Sequence, residues 1–326
     1  MRFRLLEIIT ALGTMSAPTV SAQAAEIESL PQSGEQNGIR PTATIKFADR
    51  DEGSLFFDFY APVTGKSDKP TIIYIFGGGF RSGQRSQDRI LSWFEEMQKR
   101  GYGIVAIDYR LGLKDMKYSM SPSFIKATDK AIGMAIEDLF SATSWIIGNG
   151  SSLGIDPDNL VLAGSSAGAI TALQAEWEIS QDRERAGVLP EGFNYRGVMA
   201  FSGAILSLDG LVRYRKGNPC PQLLFHGTAD KIVVYKKTKF LSVCFSGSSC
   251  LAKELGKSGS NYRIYRIEGA SHEIASCELH FLDTELDFLE RNVIGGEVVR
   301  VDATISDPAI EVPDWARGDT ASLYNE

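Results

Sequence analysis

Only three histidines occur in 326 residues, His226, His272 and His280, and only four cysteines, Cys220, Cys244, Cys250 and Cys277. Neither set has metal-site spacing. No CxxC pair is present and the imidazoles are too few to replace one, so no zinc site is spelled. No apolar run reaches transmembrane length, and no long basic run offsets a net charge of −7. That balance makes nucleic acid or an anionic membrane a poor partner, because both are bound through Lys- and Arg-rich patches. Four cysteines permit three disulfide connectivities. The short Cys244–Cys250 separation makes that bridge the preferred one, with four unpaired thiols as the alternative.

What is present is ordinary globular composition, 43% hydrophobic and 23% charged. The length suits one large α/β domain or two small ones. The first residues differ. MRFRLLEIITALGTMSAPTVSAQAAE carries Arg2 and Arg4, a short apolar stretch, then Ala22-Gln23-Ala24. Basic, apolar, small-x-small is the order of a secretory signal, flawed here by Glu7 at the front of the apolar part; an amphipathic N-terminal helix is the alternative. The expectation is a signal peptide over 1–24, a mature chain starting with a polar arm, and an exported protein, periplasmic or extracellular, with no integral membrane segment in the mature chain.

The remainder alternates strand and helix patterns. Buried strands are expected at 55–60, 70–76, 102–107, 159–163, 198–201, 222–226 and 262–267. Helices are expected at 86–100, 124–147, 167–179 and 276–292, the first of these repeating Ile90, Leu91, Phe94 and Met97 at helical spacing. Near-continuous apolar strands separated by helices mean a mostly parallel sheet covered on both faces. No linker or internal repeat divides the pattern, so 25–293 reads as one domain. The tail, 294–326, has little periodicity and stays unassigned.

Gly-x-Ser-x-Gly, a serine-hydrolase signature, occurs twice: Gly150-Ser151-Ser152-Leu153-Gly154 and Gly164-Ser165-Ser166-Ala167-Gly168. The first copy lies between a helix and a strand, in a loop rich in turn formers, at the sheet edge opposite the one where parallel sheets place their sites. The second follows Leu160-Val161-Leu162-Ala163 directly and runs out into a helix. A nucleophile on such a strained strand-to-helix turn needs small neighbours, and Gly164 and Gly168 supply them. Ser166 is therefore the candidate nucleophile. It needs a base and an orienting acid. His272 falls in the loop after the last strand, where a base can reach the serine. His226 lies inside a strand and reads as a buried core residue, and His280 lies inside the last helix. Asp230 follows the preceding strand and is the candidate acid. Gly77-Gly78-Gly79 after the strand at 70–76 can turn backbone N–H groups toward a developing oxyanion.

FGGGFRSG at 76–83, DYRLG at 108–112, GIDPDNLVLAGSSAGA at 154–169, HGTAD at 226–230 and GASHE at 269–273 together resemble the α/β-hydrolase superfamily, in particular esterases and carboxylesterases of the hormone-sensitive-lipase type. The resemblance runs from about residue 54 to 293. It implies an α/β-hydrolase fold with a mostly parallel central sheet of about eight strands and helices on both faces. It implies Ser166, Asp230 and His272 as catalytic triad, the N–H groups of Gly78, Gly79 and Ala167 as oxyanion hole, and no cofactor or metal. One position departs: the family usually has His before the three glycines, and here it is Phe76. The N–H donors are untouched, so the loop is expected to be braced differently.

The connection at 202–219 is short, and no long apolar helix is available as a lid. The expected site is open and shallow, suited to short acyl or compact aromatic acids on small molecules or decorated carbohydrates. A serine exopeptidase on this fold would need an added propeller or an acidic pair for the substrate amine, and neither is found. A non-catalytic binding protein would be expected to have lost part of the triad. The leader makes its own prediction: protein recovered from the envelope or medium of the native host has an intact mass corresponding to cleavage near Ala24. Recovery only as a full-length cytoplasmic species contradicts export.

Overall fold

The computed structural model describes residues 39–65, 68–119, 121–215 and 219–324. The signal-peptide reading of 1–24 therefore lies outside the described residues. Twelve strands form among those described: β1 Ala43–Arg50, β2 Gly53–Tyr60, β3 Thr71–Ile75, β4 Gly103–Ile107, β5 Leu160–Ser165, β6 Gly197–Phe201, β7 Ala204–Ser207, β8 Gln222–Gly227, β9 Lys237–Phe240, β10 Val243–Gly247, β11 Tyr262–Ile267 and β12 Val301–Ile305. Between and after them lie helices α1 Asp88–Lys99, α2 Pro122–Asn149, α3 Ala167–Ser180, α4 Ser248–Ser258, α5 Leu282–Phe288, α6 Asp314–Arg317 and α7 Thr320–Tyr324.

Nine strands make the central sheet in the order β1-β2-β4-β3-β5-β6-β8-β11-β12. From β4 to β12 every neighbouring pair is parallel, while β1 and β2 join antiparallel at one edge. The central strands β3, β4, β5, β6 and β8 are buried along their whole length. That is why they read as unbroken apolar runs: helices cover both faces, and no position faces water. On β2, Phe57 packs edge-on against Trp145 of α2, whereas Tyr60 packs against Phe94 of α1. Residues of opposite parity on one strand point to opposite faces, so α1 and α2 lie on opposite sides of the sheet. α3 joins the α2 side, and α5 joins the α1 side, where Trp93 Nε1 donates to Glu285 Oε2 at 2.9 Å.

Several expectations change. The polar arm expected up to residue 52 contains β1, an edge strand whose side chains are mostly half-exposed. A second, antiparallel sheet forms in the order β7-β10-β9: β7 lies in the connection expected to be short, and β9, β10 and α4 lie between β8 and β11, where no element was expected. The single helix expected over 276–292 is a broken series of turns, α5 and a wide π-turn at Leu289–Ile294. The preferred Cys244–Cys250 bridge is not formed; all four thiols are unpaired. Cys244 is instead packed inside the small sheet, paired across strands with Ser207 and Lys239. The tail supplies β12 as ninth strand of the central sheet.

α3 carries an ionisable group into the core. Glu176 has no exposed surface. Its Oε1 accepts from the Cys220 N–H at 3.1 Å and its Oε2 from Gln222 Nε2 at 2.9 Å. Burial pushes its pKa up to about 8, against a smaller lowering by the Cys220 N–H. Gln222 Oε1 has no hydrogen-bond partner; turning that amide over would let it accept a proton carried by Glu176. In the unfolded chain Glu176 loses its proton near 4.5, as an ordinary glutamate does. Between the two values the folded state holds the extra proton, so this group's contribution to stability is full below 4.5 and falls as pH rises to 8. The slope approaches about 1.4 kcal/mol per pH unit inside that window. Glu176→Gln is expected to flatten the decline and to raise the denaturation midpoint at pH 8.5. Urea titrations of both proteins from pH 5 to 8.5 measure it, and parallel curves would contradict it.

Candidate active site

β5 ends at Ser165 and α3 begins at Ala167, so Ser166 alone makes the turn between them. Ser166 takes φ 51° and ψ −114°, a backbone conformation that L-residues rarely adopt. Its N–H donates to the Phe201 carbonyl at 2.9 Å, and its carbonyl accepts from Ile170 N at 2.9 Å, so sheet and helix hold it from both sides. The two flanking glycines are sterically required. A Cβ on Gly168 would lie 1.9 Å from the Ile75 carbonyl oxygen, and one on Gly164 would lie 2.5 Å from the Gly168 carbonyl.

The turn presents the Ser166 hydroxyl to His272, with Oγ and Nε2 2.8 Å apart. His272 Nδ1 lies 2.7 Å from Asp230 Oδ2. The carboxylate can only accept, so Nδ1 carries the proton and Nε2 is left as the acceptor for the serine hydroxyl. Asp230 is itself fixed: its Oδ1 accepts from the N–H groups of Ile232 and Val233 at 2.9 and 3.0 Å. Burial alone would raise its pKa. Hydrogen bonds from His226 and His272, and the charge those rings can carry, override burial and hold the carboxyl well below the usual range. All three side chains are buried. The arrangement supplies a hydroxyl, a base poised to take its proton, and an acid that orients the base.

The glycine loop stands beside this group. Gly78 and Gly79 have φ 122° and 63°, and a Cβ on Gly78 would fall 2.0 Å from the Ser82 carbonyl oxygen. The Gly78 carbonyl caps the following turn by accepting from Arg81 and Ser82 N–H groups. None of the backbone hydrogen bonds among the described residues uses the N–H of Gly78 or Gly79. The N–H of Ala167 begins α3, where helix geometry leaves it without an intrahelical acceptor. Gly79, Ser166 and Ala167 line one cavity of about 290 Å³, walled by apolar side chains including Ile170, Leu206, Val233 and Phe245. Phe76 braces the loop where a histidine was expected. Its ring stacks on Tyr109 at 4.3 Å, and the Tyr109 hydroxyl donates to the Phe76 carbonyl at 2.9 Å.

Ser152 occupies the turn Gly150–Leu153 that leads toward the start of β5, and its hydroxyl donates to the Asn149 carbonyl at 2.7 Å. It stands at the far end of the strand from Ser166. His280 is half-exposed and pairs with Asp307 of the tail at 2.8 Å. His226 is buried as expected, but it also reaches the site: its Nε2 lies 3.1 Å from the Val233 carbonyl and 3.3 Å from Asp230 Oδ2. Four residues from Asp230 in HGTAD, that second contact had a sequence signal that was not used. Arg89, Glu278 and Tyr74 were also missed. Below the turn, Glu278 accepts from Arg89 Nη1 and from the Tyr74 hydroxyl, and Arg89 Nη2 reaches Ser165 Oγ at 3.3 Å. Ser165 Oγ in turn donates to the Ala275 carbonyl in the His272 loop. β9 and β10 and residue Thr320 of the tail wall the cavity, in the absence of any lid helix among the described residues.

The BD-FAE family model matches residues 57–186, a span that holds the glycine loop and Ser166 but ends before Asp230 and His272. Secreted lipase 1 of Botryotinia fuckeliana is 26% identical over 219 residues, covering 63% of this chain and 35% of the lipase. The para-nitrobenzyl esterase of Bacillus subtilis is 31% identical over 121 residues, 37% of this chain and 24% of that enzyme. The chain thus spans about a third or less of the length of these curated relatives. In structure it is similar to the apo form of esterase 2 of Thermogutta terrifontis, with a TM-score of 0.57 at 22% identity, over 83% of this chain and 99% of that one. In its nine-stranded, mostly parallel sheet between helices the chain shares the fold of that esterase, and in sequence it is similar to esterases and lipases of the α/β-hydrolase type.

Proposed function

We propose that this protein is an exported serine esterase that hydrolyses carboxylic esters of short acyl or compact aromatic acids, including esters on carbohydrates, through an acyl-enzyme. The observation that carries the reading is the unbroken chain Ser166 Oγ–His272 Nε2 and His272 Nδ1–Asp230 Oδ2, at 2.8 and 2.7 Å. Ser166 Oγ attacks the ester carbonyl while Nε2 takes its proton. Charge moves onto the carbonyl oxygen, where the N–H groups of Gly78, Gly79 and Ala167 receive it; one such donor is worth on the order of 10²–10³ in rate. Nε2 then gives the proton to the leaving alcohol oxygen as the C–O bond breaks. Water repeats the sequence on the acyl-enzyme, with the same nitrogen as base and then as acid, and releases the carboxylic acid and Ser166. Asp230 keeps Nδ1 protonated and stabilises the imidazolium formed in between. No step calls for a cofactor.

The match to BD-FAE, a family of bifunctional acetyl xylan and feruloyl esterases, supports a short or aromatic acyl group. The walled cavity of about 290 Å³ supports a bounded acyl chain. Export rests on the order of residues 1–24 and is part of the same proposal.

Ser166→Ala is expected to lower ester hydrolysis by at least about 10³-fold and to abolish labelling by a fluorophosphonate probe. Ser152→Ala is expected to leave both near wild type, and comparable losses in the two variants would refute the assignment. On a series of esters, each buried methylene adds about 0.8 kcal/mol, close to fourfold, until the cavity is full. kcat/KM is therefore expected to peak at acetyl to butyryl or a compact aromatic acyl group and to fall for long chains. A steady rise to long-chain esters would make the protein a lipase.

A further inference from the structure

The tail crosses the loops that carry the acid and the base. β12 pairs with β11, and Glu268 N donates to the Ile305 carbonyl at 2.8 Å where the His272 loop begins. Ser271 Oγ donates to the Ala316 carbonyl at 2.5 Å, and Thr320 Oγ1 to the Ile232 carbonyl at 3.1 Å. Ala316, fully buried, is the anchor. Its neighbour Trp315 is not: the indole is 45% exposed, although it stands edge-on to the His272 ring at 6.4 Å and 87°. It leaves a flat apolar surface in water beside the imidazole.

The chemistry fixes which part of a substrate would meet it. The leaving oxygen must come within about 3 Å of His272 Nε2 to receive its proton. The alcohol part of the ester therefore extends over the groups that surround the imidazole, while the acyl part enters the cavity, which Trp315 does not line. Asp314 and Arg317 flank Trp315 on the same short helix, both exposed and 3.7 Å apart. A flat apolar platform bordered by a carboxylate and a guanidinium matches a sugar ring, which has a face of C–H groups and an edge of hydroxyls.

We propose that Trp315, with Asp314 and Arg317, forms an alcohol-side subsite for the sugar ring that bears the scissile ester. The subsite rests on the esterase reading above and assigns to named residues the part of the site that would hold the sugar of a carbohydrate ester. The test compares two ferulate esters on the full-length chain, one of methanol and one of an arabinoxylan oligosaccharide. Trp315→Ala is expected to lower the kcat/KM ratio of oligosaccharide ester to methyl ester by about tenfold, mostly through KM. Trp315→Phe, which keeps a flat ring, is expected to restore most of that ratio. In calorimetry, the Ser166→Ala chain is expected to bind the unesterified oligosaccharide, and the Ser166→Ala, Trp315→Ala chain to lose that binding. An equal fall on both esters would mean that Trp315 only holds the His272 loop, and an unchanged ratio that it touches no substrate; either overturns the subsite. Turnover of methyl ferulate with none of the sugar ester also overturns it and leaves the esterase reading standing. No turnover of any ester and no fluorophosphonate labelling would instead remove the esterase reading itself, and the subsite with it.

Discussion

The site depends on one close approach: the first turn of α3 lies against the end of β3 with only a hydrogen atom between them. At Gly168 a methyl group would overlap the Ile75 carbonyl, and at Gly164 it would overlap the helix that has just begun. These two contacts draw the strand-to-helix turn and the glycine loop after β3 to the same end of the sheet. Ser166 sits on one and the N–H groups of Gly78 and Gly79 on the other. Most of the remaining architecture holds that pair in register. β3 and β5 are adjacent and parallel, so their C-terminal ends advance together. Arg89 and Glu278 link Ser165 to α1 and to the segment after His272.

The parts legible in the sequence were those with a strict physical requirement. Leu160–Ala163 had to be apolar on both faces, and the strained turn after it had to be flanked by glycine, so the order of residues alone separates Ser166 from Ser152. His272 could be separated from His226 because one lies in a loop and the other in a buried strand. Edge strands carry no such requirement. β1, β9 and β12 are half-exposed or wholly exposed, keep lysine, threonine and aspartate among their residues, and need only a backbone to pair with. Trp315 was equally hidden, because four residues of helix give no periodicity to read. The Cys244–Cys250 pairing failed because short separation along the chain says nothing about direction: one thiol is locked in a strand of the small sheet and the other belongs to the helix after it.

The tail has a consequence for the order in which the molecule becomes competent. A nascent chain that has emerged as far as His272 already contains Ser166, Asp230 and the base. It does not yet contain β12, Ala316 or Thr320, which tie down the two loops holding the acid and the base. Until that segment is present, both loops lack these ties, whereas the turn that carries the nucleophile is held by its own two glycines. The alignment of the base with the serine therefore leans on a part of the chain made after all three residues.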